Sequence, residues 1–234
     1  MKEITLEIVH RFFNNTQNYL QKRYGILLRQ EILNGLIGDI SDLEILDIGC
    51  GDGSLSVNYA TANQVTLLDV SENMLQAALN NYGPLAAKTR SFHGDFLEFD
   101  SSNKFDIILI IGVLAHVPHL DKTFAKLANT VKTDGKIYLQ FTDYNHFLTK
   151  VEFLISGIKN SPYKAQTIRK IDIDRIIRKH GFKIMRKVHA ANALLGMPKL
   201  FSERFILKYM RFASRNRVLR FMRQDYIYEI RLDS

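Results

Sequence analysis

A single cysteine, Cys50, stands in the 234 residues, so no intramolecular disulfide can form and a reducing compartment is expected. Proline is almost as scarce, at four residues, and no Pro- or Ser-rich stretch marks a linker. Long apolar runs are missing too. The longest, Ile107 to Ala115, falls far short of the roughly 20 residues that cross a bilayer. Met1-Lys2-Glu3 opens the chain with an acid and no apolar segment behind it, which predicts a cytoplasmic protein. No internal repeat appears, and a chain of this length with 46% apolar residues suits one domain carrying insertions.

Charge is present but unevenly placed. Residues 1–182 hold 20 Lys+Arg against 20 Asp+Glu, whereas residues 183–234 hold 12 against 4, which accounts for the whole net charge of +8. That excess predicts either a negatively charged partner near the C-terminal part or a solvated basic face.

Residues 4–37 lack proline and read as N-terminal helices within a cap of residues 1–40, with a break near Asn14-Asn15 or at Gly25. From Leu43 onward, short apolar runs alternate with helical stretches: Leu43–Ile48, Gln64–Leu68, Arg90–His93, Phe105–Ile111 and Gly135–Phe141. Phe182–Val188, after a helix Ile171–His180 with its Gly181 stop, and Tyr226–Leu232 bring the strand count to seven. Such alternation predicts an α/β, Rossmann-like, mostly parallel sheet with helices on both faces. The core spans 43–141, and 142–166 and 190–223 are helical insertions on the substrate side.

Chemistry concentrates at four places. The run Glu44-Ile-Leu-Asp47-Ile-Gly49-Cys50-Gly51-Asp52-Gly53-Ser54 is a strand entering a glycine turn, where residues without a Cβ let a ligand meet the backbone. A helix starting near Ser54 would turn free N–H groups toward an anionic group such as an amino-acid carboxylate. The spacing differs from the dinucleotide pattern G-x-G-x-x-G, and Asp47 is placed to accept from an ammonium group. Asp69, 20 residues after Gly49, closes the second strand, where an acid accepts the ribose hydroxyls of an adenosine or caps the following helix. Val70 and Met74 follow it. In His93-Gly94-Asp95-Phe96, Asp95 suits an adenine amino group, with the Phe96 ring and N–H beside it. Finally, Ile111-Gly112 and His116 end a buried strand, at the edge where ligands of α/β sheets sit. Two roles are open to His116, a general base or a residue that shapes the pocket.

As a set, Leu46-Asp47-Ile-Gly49-Cys50-Gly51-Asp52-Gly53, Asp69, Gly94-Asp95-Phe96, Phe105-Asp106 and Val113-Leu-Ala-His116 resemble the class I S-adenosylmethionine-dependent methyltransferases. The resemblance implies a seven-stranded sheet with an antiparallel last strand and S-adenosylmethionine at the glycine turn. Its cofactor contacts would be Asp47, Gly49, Cys50, Gly51, Gly53, Asp69, Val70, Met74, Asp95, Phe96, Ile111 and Gly112, while Tyr19 and Tyr24 would close over the substrate side. The order Asp69-Val-Ser-Glu-Asn-Met looks most like the branch acting on small molecules and lipids. Many of those relatives carry Glu-His where this chain has Ala115-His116, so no metal is carried over. No Asn/Asp-Pro-Pro-Tyr/Phe motif follows the fourth strand, which makes a nucleic-acid acceptor the less favoured alternative, beside a cofactor-binding protein without turnover. In Leu200–Arg223, Arg204, Lys208, Arg211 and Arg215 form a cationic stripe at helical spacing. Phe201, Phe205, Tyr209 and Phe212 share that rhythm on a neighbouring face, with Ile206, Met210 and Ala213 widening the apolar sector, a pattern suited to a core-packed helix with a solvated basic edge, an acidic substrate or an anionic membrane surface.

Overall fold

The computed structural model describes residues 23–62, 64–100, 102–156, 166–194 and 196–233. The expected helix before Arg23, its break at Asn14-Asn15, and Tyr19 lie outside these residues. Helix α1 (Arg23–Ile37) leads into strand β1 (Glu44–Ile48), followed by β2 (Gln64–Asp69), α2 (Glu72–Tyr82), β3 (Thr89–His93) and β4 (Phe105–Ile110). Next come α3 (Leu120–Thr130), β5 (Val131–Thr142), α4 (Phe147–Ser156), α5 (Lys170–Lys179) and β6 (Phe182–Ala191). The short α6 (Met197–Leu200), α7 (Glu203–Arg215) and β7 (Arg223–Leu232) complete the described chain.

The seven strands form one sheet in the order β3-β2-β1-β4-β5-β7-β6. Neighbours from β3 to β5 pair in parallel, and β7 runs antiparallel to both β5 and β6. The expected Rossmann-like sheet is therefore present. Its central strands are apolar in unbroken runs because both faces are covered. Leu46, Ile108 and Ile110 point into one cluster with Phe124 and Leu127 of α3, while Ile45, Ile107 and Leu109 meet Leu33 of α1 and Leu75 of α2 on the other face. Sheet order reverses direction between β1 and β4, so the carboxyl ends of these two strands open a crevice.

Several boundaries differ from the sequence expectation. Helix α1 runs through Gly25 without a break, because Tyr24, Ile26 and Leu28 around it are buried and their packing outweighs the cost of one glycine. Strand β6 extends to Ala191 and β7 begins at Arg223, since the two pair along their whole length. In α7 the core face is Ile206, Leu207, Met210 and Ala213, whereas Phe205 is 50% and Phe212 59% exposed. Of the expected aromatic face, Phe201, Phe205 and Phe212 lie on the surface, with Phe201 and Phe205 stacked on each other at 4.7 Å, while Tyr209 is half-buried against the cluster of Ile206 and Met210. Arg211 also leaves the cationic stripe, as it forms a bidentate pair with Glu31 of α1.

Strand β5 starts four residues before Gly135, at Val131, and bulges. Phe105 pairs with Val131 and Ile107 with Lys136, so the extra residues on β5 fold around Gly135. A Cβ added there would sit 2.6 Å from Val131 Cγ2, 2.9 Å from Phe105 O and 3.0 Å from Lys132 O. Backbone oxygens cannot step aside cheaply. Gly135→Ala is expected to lower stability by about 1–3 kcal/mol, the range for overpacking a filled site, as measured by urea unfolding. An unchanged midpoint would show that the bulge yields.

Candidate active site

The glycine turn after β1 has three residues at positive φ: Gly49 (+66°), Gly51 (+56°) and Gly53 (+72°). Each is also hemmed in or bonded. A side chain on Gly49 would run into Val113, just past β4, and one on Gly53 would meet Ala78 of α2 at 3.0 Å. The N–H groups of Gly49 and Cys50 donate to Leu68 O at 2.7 and 3.0 Å, and Gly51 N–H donates to Asp69 Oδ2 at 2.9 Å. Asp69 Oδ1 accepts from Ser71 N–H at 2.9 Å, which holds the start of α2 against the same turn. Ser71, not Asp69, caps that helix, its hydroxyl accepting from Met74 N–H at 3.3 Å. From outside, Gln30 of α1 donates to Ser54 O and Asn81 of α2 to Asp52 O.

The α-helix expected from Ser54 is absent. Ser56–Tyr59 forms one 3-10 turn, because the stretch 54–63 before β2 is too short for a helix and a return, and Val57, Asn58 and Thr61 are weak helix formers. The segment after the glycines therefore offers no α-helix N-terminus to an anionic group. Acids dominate instead. Asp47, Asp52 and Asp69 are all buried around the glycines. Burial pushes the Asp47 carboxyl up to about 7, with the negative charges of Asp69 and Asp52 adding to the effect. Burial also raises Asp69, although the N–H groups of Ser71 and Gly51 pull it back, and it raises the Cys50 thiol well above its ordinary value.

Asp47 is 2% exposed, and its Oδ2 has no hydrogen-bond partner among the described residues. A buried carboxylate oxygen left unpaired is costly unless a donor or a cation arrives. This oxygen, with the acids beside it, suits a ligand carrying an ammonium and a sulfonium charge. Asp69 keeps acceptor capacity beyond its two backbone bonds, since an ionised carboxylate offers about four acceptor sites.

The remaining sequence candidates take these places. Val70 is half-buried, and its carbonyl lies 3.1 Å from His93 Nε2. Met74 is buried beneath α2. Gly94 N–H donates to Asp69 O, which brings the β3 turn to the end of β2, and Asp95 Oδ1 accepts from Leu97 N–H. The Phe96 ring belongs to the core with Phe99 and Lys126 Nζ over it, so the ring contact expected there is not presented to a ligand. Ile111 is buried, and Gly112 beside it is exposed at φ +77°. His116 ends a 3-10 turn (Leu114–His116), and desolvation lowers its ring to about 4. Tyr24 packs against Leu28, Ala190, Met197 and Ile206, away from the glycine turn.

Three polar residues at the same edge were missed from the sequence. Arg29 of α1 reaches Asp225 at 3.4 Å, Asp225 is buried on β7, and Gln140 is buried near the carboxyl end of β5. A lone glutamine within Tyr138-Leu139-Gln140-Phe141, on a strand covered on both faces, was a readable signal. Arg29 had none, because only the tertiary fold carries α1 to the sheet edge.

Residues 39–160 match a family described as a methyltransferase domain. The ubiquinone biosynthesis O-methyltransferase of Aromatoleum aromaticum is 26% identical over 186 residues, covering 76% of this chain and 79% of that protein. Its namesake in Rickettsia bellii is 29% identical over 98 residues, 42% of this chain and 41% of that protein, so the chain aligns with less than half of the latter. The fold matches the magnesium protoporphyrin IX methyltransferase of Synechocystis PCC 6803, solved with bound SAH, at a TM-score of 0.70 and 20% identity over 97% of this chain and 99% of that one. With the glycine turn, the unpaired Asp47 oxygen and a family match over more than half its length, the chain belongs to the class I S-adenosylmethionine-dependent methyltransferases.

Proposed function

We propose that the enzyme methylates an oxygen or nitrogen atom of a small-molecule or lipid-like acceptor, with the cofactor held by the glycine turn, Asp47 and Asp69 and the acceptor bound beyond Gly112. The observation that carries this reading is the polarity of the crevice: buried acids line its β1–β2 side, and Arg29 and Gln140 stand on its β5 side. The names of the relatives, which include ubiquinone biosynthesis O-methyltransferases, support an oxygen acceptor. Buried, unpaired Cys50 suits the cytoplasm. When bound, the cofactor supplies a methyl group activated by its sulfonium. The protein's part is to align the acceptor and exclude water. Incubation with methyl-labelled cofactor should move label into a metabolite or lipid extract and not into tRNA. Label in tRNA alone would overturn this choice of acceptor.

Asp47 gives cofactor binding a pH dependence. Its carboxyl, held near 7, is largely neutral below that pH and must ionise to pair with the ammonium group. Binding then releases protons, and affinity rises from about pH 6 to 8. The sign for stability is opposite: a folded-state pKa above the ordinary value favours the free fold at low pH and loses that contribution as pH rises through about 7. Calorimetry in buffers of different ionisation enthalpy measures the protons. Asp47→Asn should abolish the release and weaken binding by roughly 10- to 100-fold, and an unchanged dissociation constant would remove Asp47 from the site.

His116, with a ring at about 4, is neutral through the working range and a weak proton acceptor. We assign it to shaping the pocket. Turnover of the wild type should show no His116 step between about pH 5.5 and 8, and His116→Ala should keep the shape of the profile while costing less than roughly 10²-fold. A step that disappears in the variant would restore the general-base role.

The exposed Phe201, Phe205 and Phe212 beside Arg204, Lys208 and Arg215 favour peripheral contact with an anionic membrane surface. Among the described residues no helix is long and apolar enough to cross a membrane. Changing Arg204, Lys208 and Arg215 to Glu should lower co-sedimentation with phosphatidylserine vesicles by about tenfold or more, at about 1 kcal/mol for each cation lost, with tRNA retention unaffected. Equal sedimentation would make the stripe a solvated face.

A further inference from the structure

The turn after β3 hangs between two ties that come from other elements. At its front, Gly94 N–H donates to Asp69 O at 3.0 Å. Inside it the bonds are local: Asp95 Oδ1 accepts from Leu97 N–H at 3.0 Å, and Asp95 O accepts from the N–H groups of Glu98 and Phe99 at 2.9 and 3.1 Å. Asp95 Oδ2 has no hydrogen-bond partner among the described residues. At the rear of the turn stands Lys126 of α3, 29 residues after Leu97, whose Nζ donates to Leu97 O at 2.8 Å and lies 5.5 Å from the centroid of the Phe96 ring. Lys126 is half-buried and forms no ion pair among the described residues, so its charge is committed to this carbonyl and this ring face. Phe124 and Leu127 beside it are fully buried, which fixes α3 against the sheet.

We propose that Lys126 is a positioning residue for adenine recognition: by holding Leu97 O and the Phe96 ring it fixes the angle at which Asp95 Oδ2 and Phe96 N–H meet the base. A short turn with only internal bonds keeps its shape but not its tilt, and reading a base edge requires polar groups held by their supports. A cationic donor ties a carbonyl more strongly than a neutral one does, and the ring face beneath the ammonium opposes sideways drift. Only one end of the cofactor depends on this tie. Adenine offers an amino donor to Asp95 and an unprotonated ring nitrogen to Phe96 N–H, whereas hypoxanthine reverses both, setting a carbonyl against the carboxylate and an N–H against an N–H. A turn held at one tilt rejects the reversed pattern, because two polar groups are then left unpaired. A looser turn swings away from the clash and discriminates less. The inference deepens the cofactor reading above and rests on the adenine lying against Asp95 and Phe96.

Binding of S-adenosylhomocysteine and of its deaminated analogue S-inosylhomocysteine to the full chain is measured by calorimetry, with urea unfolding in parallel. Wild type should prefer the adenine compound by roughly tenfold or more. Lys126→Met, which keeps the stem over Phe96 and removes the donor, should weaken S-adenosylhomocysteine by roughly 3- to 10-fold and leave S-inosylhomocysteine unchanged or tighter, so the preference shrinks. Lys126→Arg, whose cation reaches the same carbonyl and stacks on the ring, should restore it. Lys126→Gln, shorter and uncharged, covers the case in which the methionine variant fails to fold, with the same shrinkage expected. A purely structural role would lower the urea midpoint and leave the preference intact; that result, or an equal loss for both ligands, overturns the proposal. A wild type that binds both compounds equally strikes the adenine assignment of Asp95 and Phe96, and the proposal falls with it. Failure of the wild type to bind S-adenosylhomocysteine at all would strike the cofactor site as a whole, Lys126 included.

Discussion

The carboxylate of Asp69 ties together the parts that make a site. One oxygen takes the N–H of Gly51 and the other the N–H of Ser71, so the turn after β1 and the start of α2 are fixed to the end of β2 by one side chain. The carbonyl of the same residue takes Gly94 N–H and brings in the turn after β3. Three loops at the carboxyl edge thus share an anchor, and the edge is shaped before any ligand arrives. The arrangement gathers negative charge. Asp47 and Asp52 lie beside Asp69 in the same buried shell, and the low dielectric there makes the charges of Asp47 and Asp69 harder to hold. A cationic ligand relieves that load, which is why the site favours a sulfonium over a pyrophosphate.

Glycine does two separate jobs in this turn. At Gly51 the positive φ lets the backbone aim its N–H at Asp69. At Gly49 and Gly53 the missing Cβ lets Val113 and Ala78 approach, so β4 and α2 close against the turn from opposite sides. The 3-10 turn at Ser56–Tyr59 contributes no dipole of consequence, being a single turn long.

The sheet was legible in the sequence because its strands are covered on both faces and read as apolar runs between glycine and aspartate stops. Asp47, the three glycines and Asp69 were legible for a related reason: strand end, tight turn and acid come at fixed offsets in one short segment. What failed was set by tertiary contact. Pairing along β6 and β7 carried those strands past Val188 and back to Arg223, although Arg223, Gln224 and Asp225 are polar. In α7 the period showed an amphipathic helix with a wide apolar sector but could not say which part of it faces inward, and Ile206, Leu207 and Met210 pack with Tyr24 and Leu28 of α1 and Ala190 of β6 while Phe205 and Phe212 stay exposed. Arg29 and Asp225 lie 196 residues apart, so no local pattern relates them, whereas Gln140 announced itself as a polar residue in a buried strand.

Charge is divided across the crevice at Gly112. On the β1–β2 side stand buried acids with spare acceptor capacity, and on the β5–β7 side stands a guanidinium braced by Asp225. A ligand with ammonium and sulfonium charges is drawn to the first side. Methyl transfer is a displacement at a carbon the sulfonium has already activated, so alignment supplies more of the barrier reduction than proton removal does. A histidine buried to a ring value of about 4 is then no handicap to alignment.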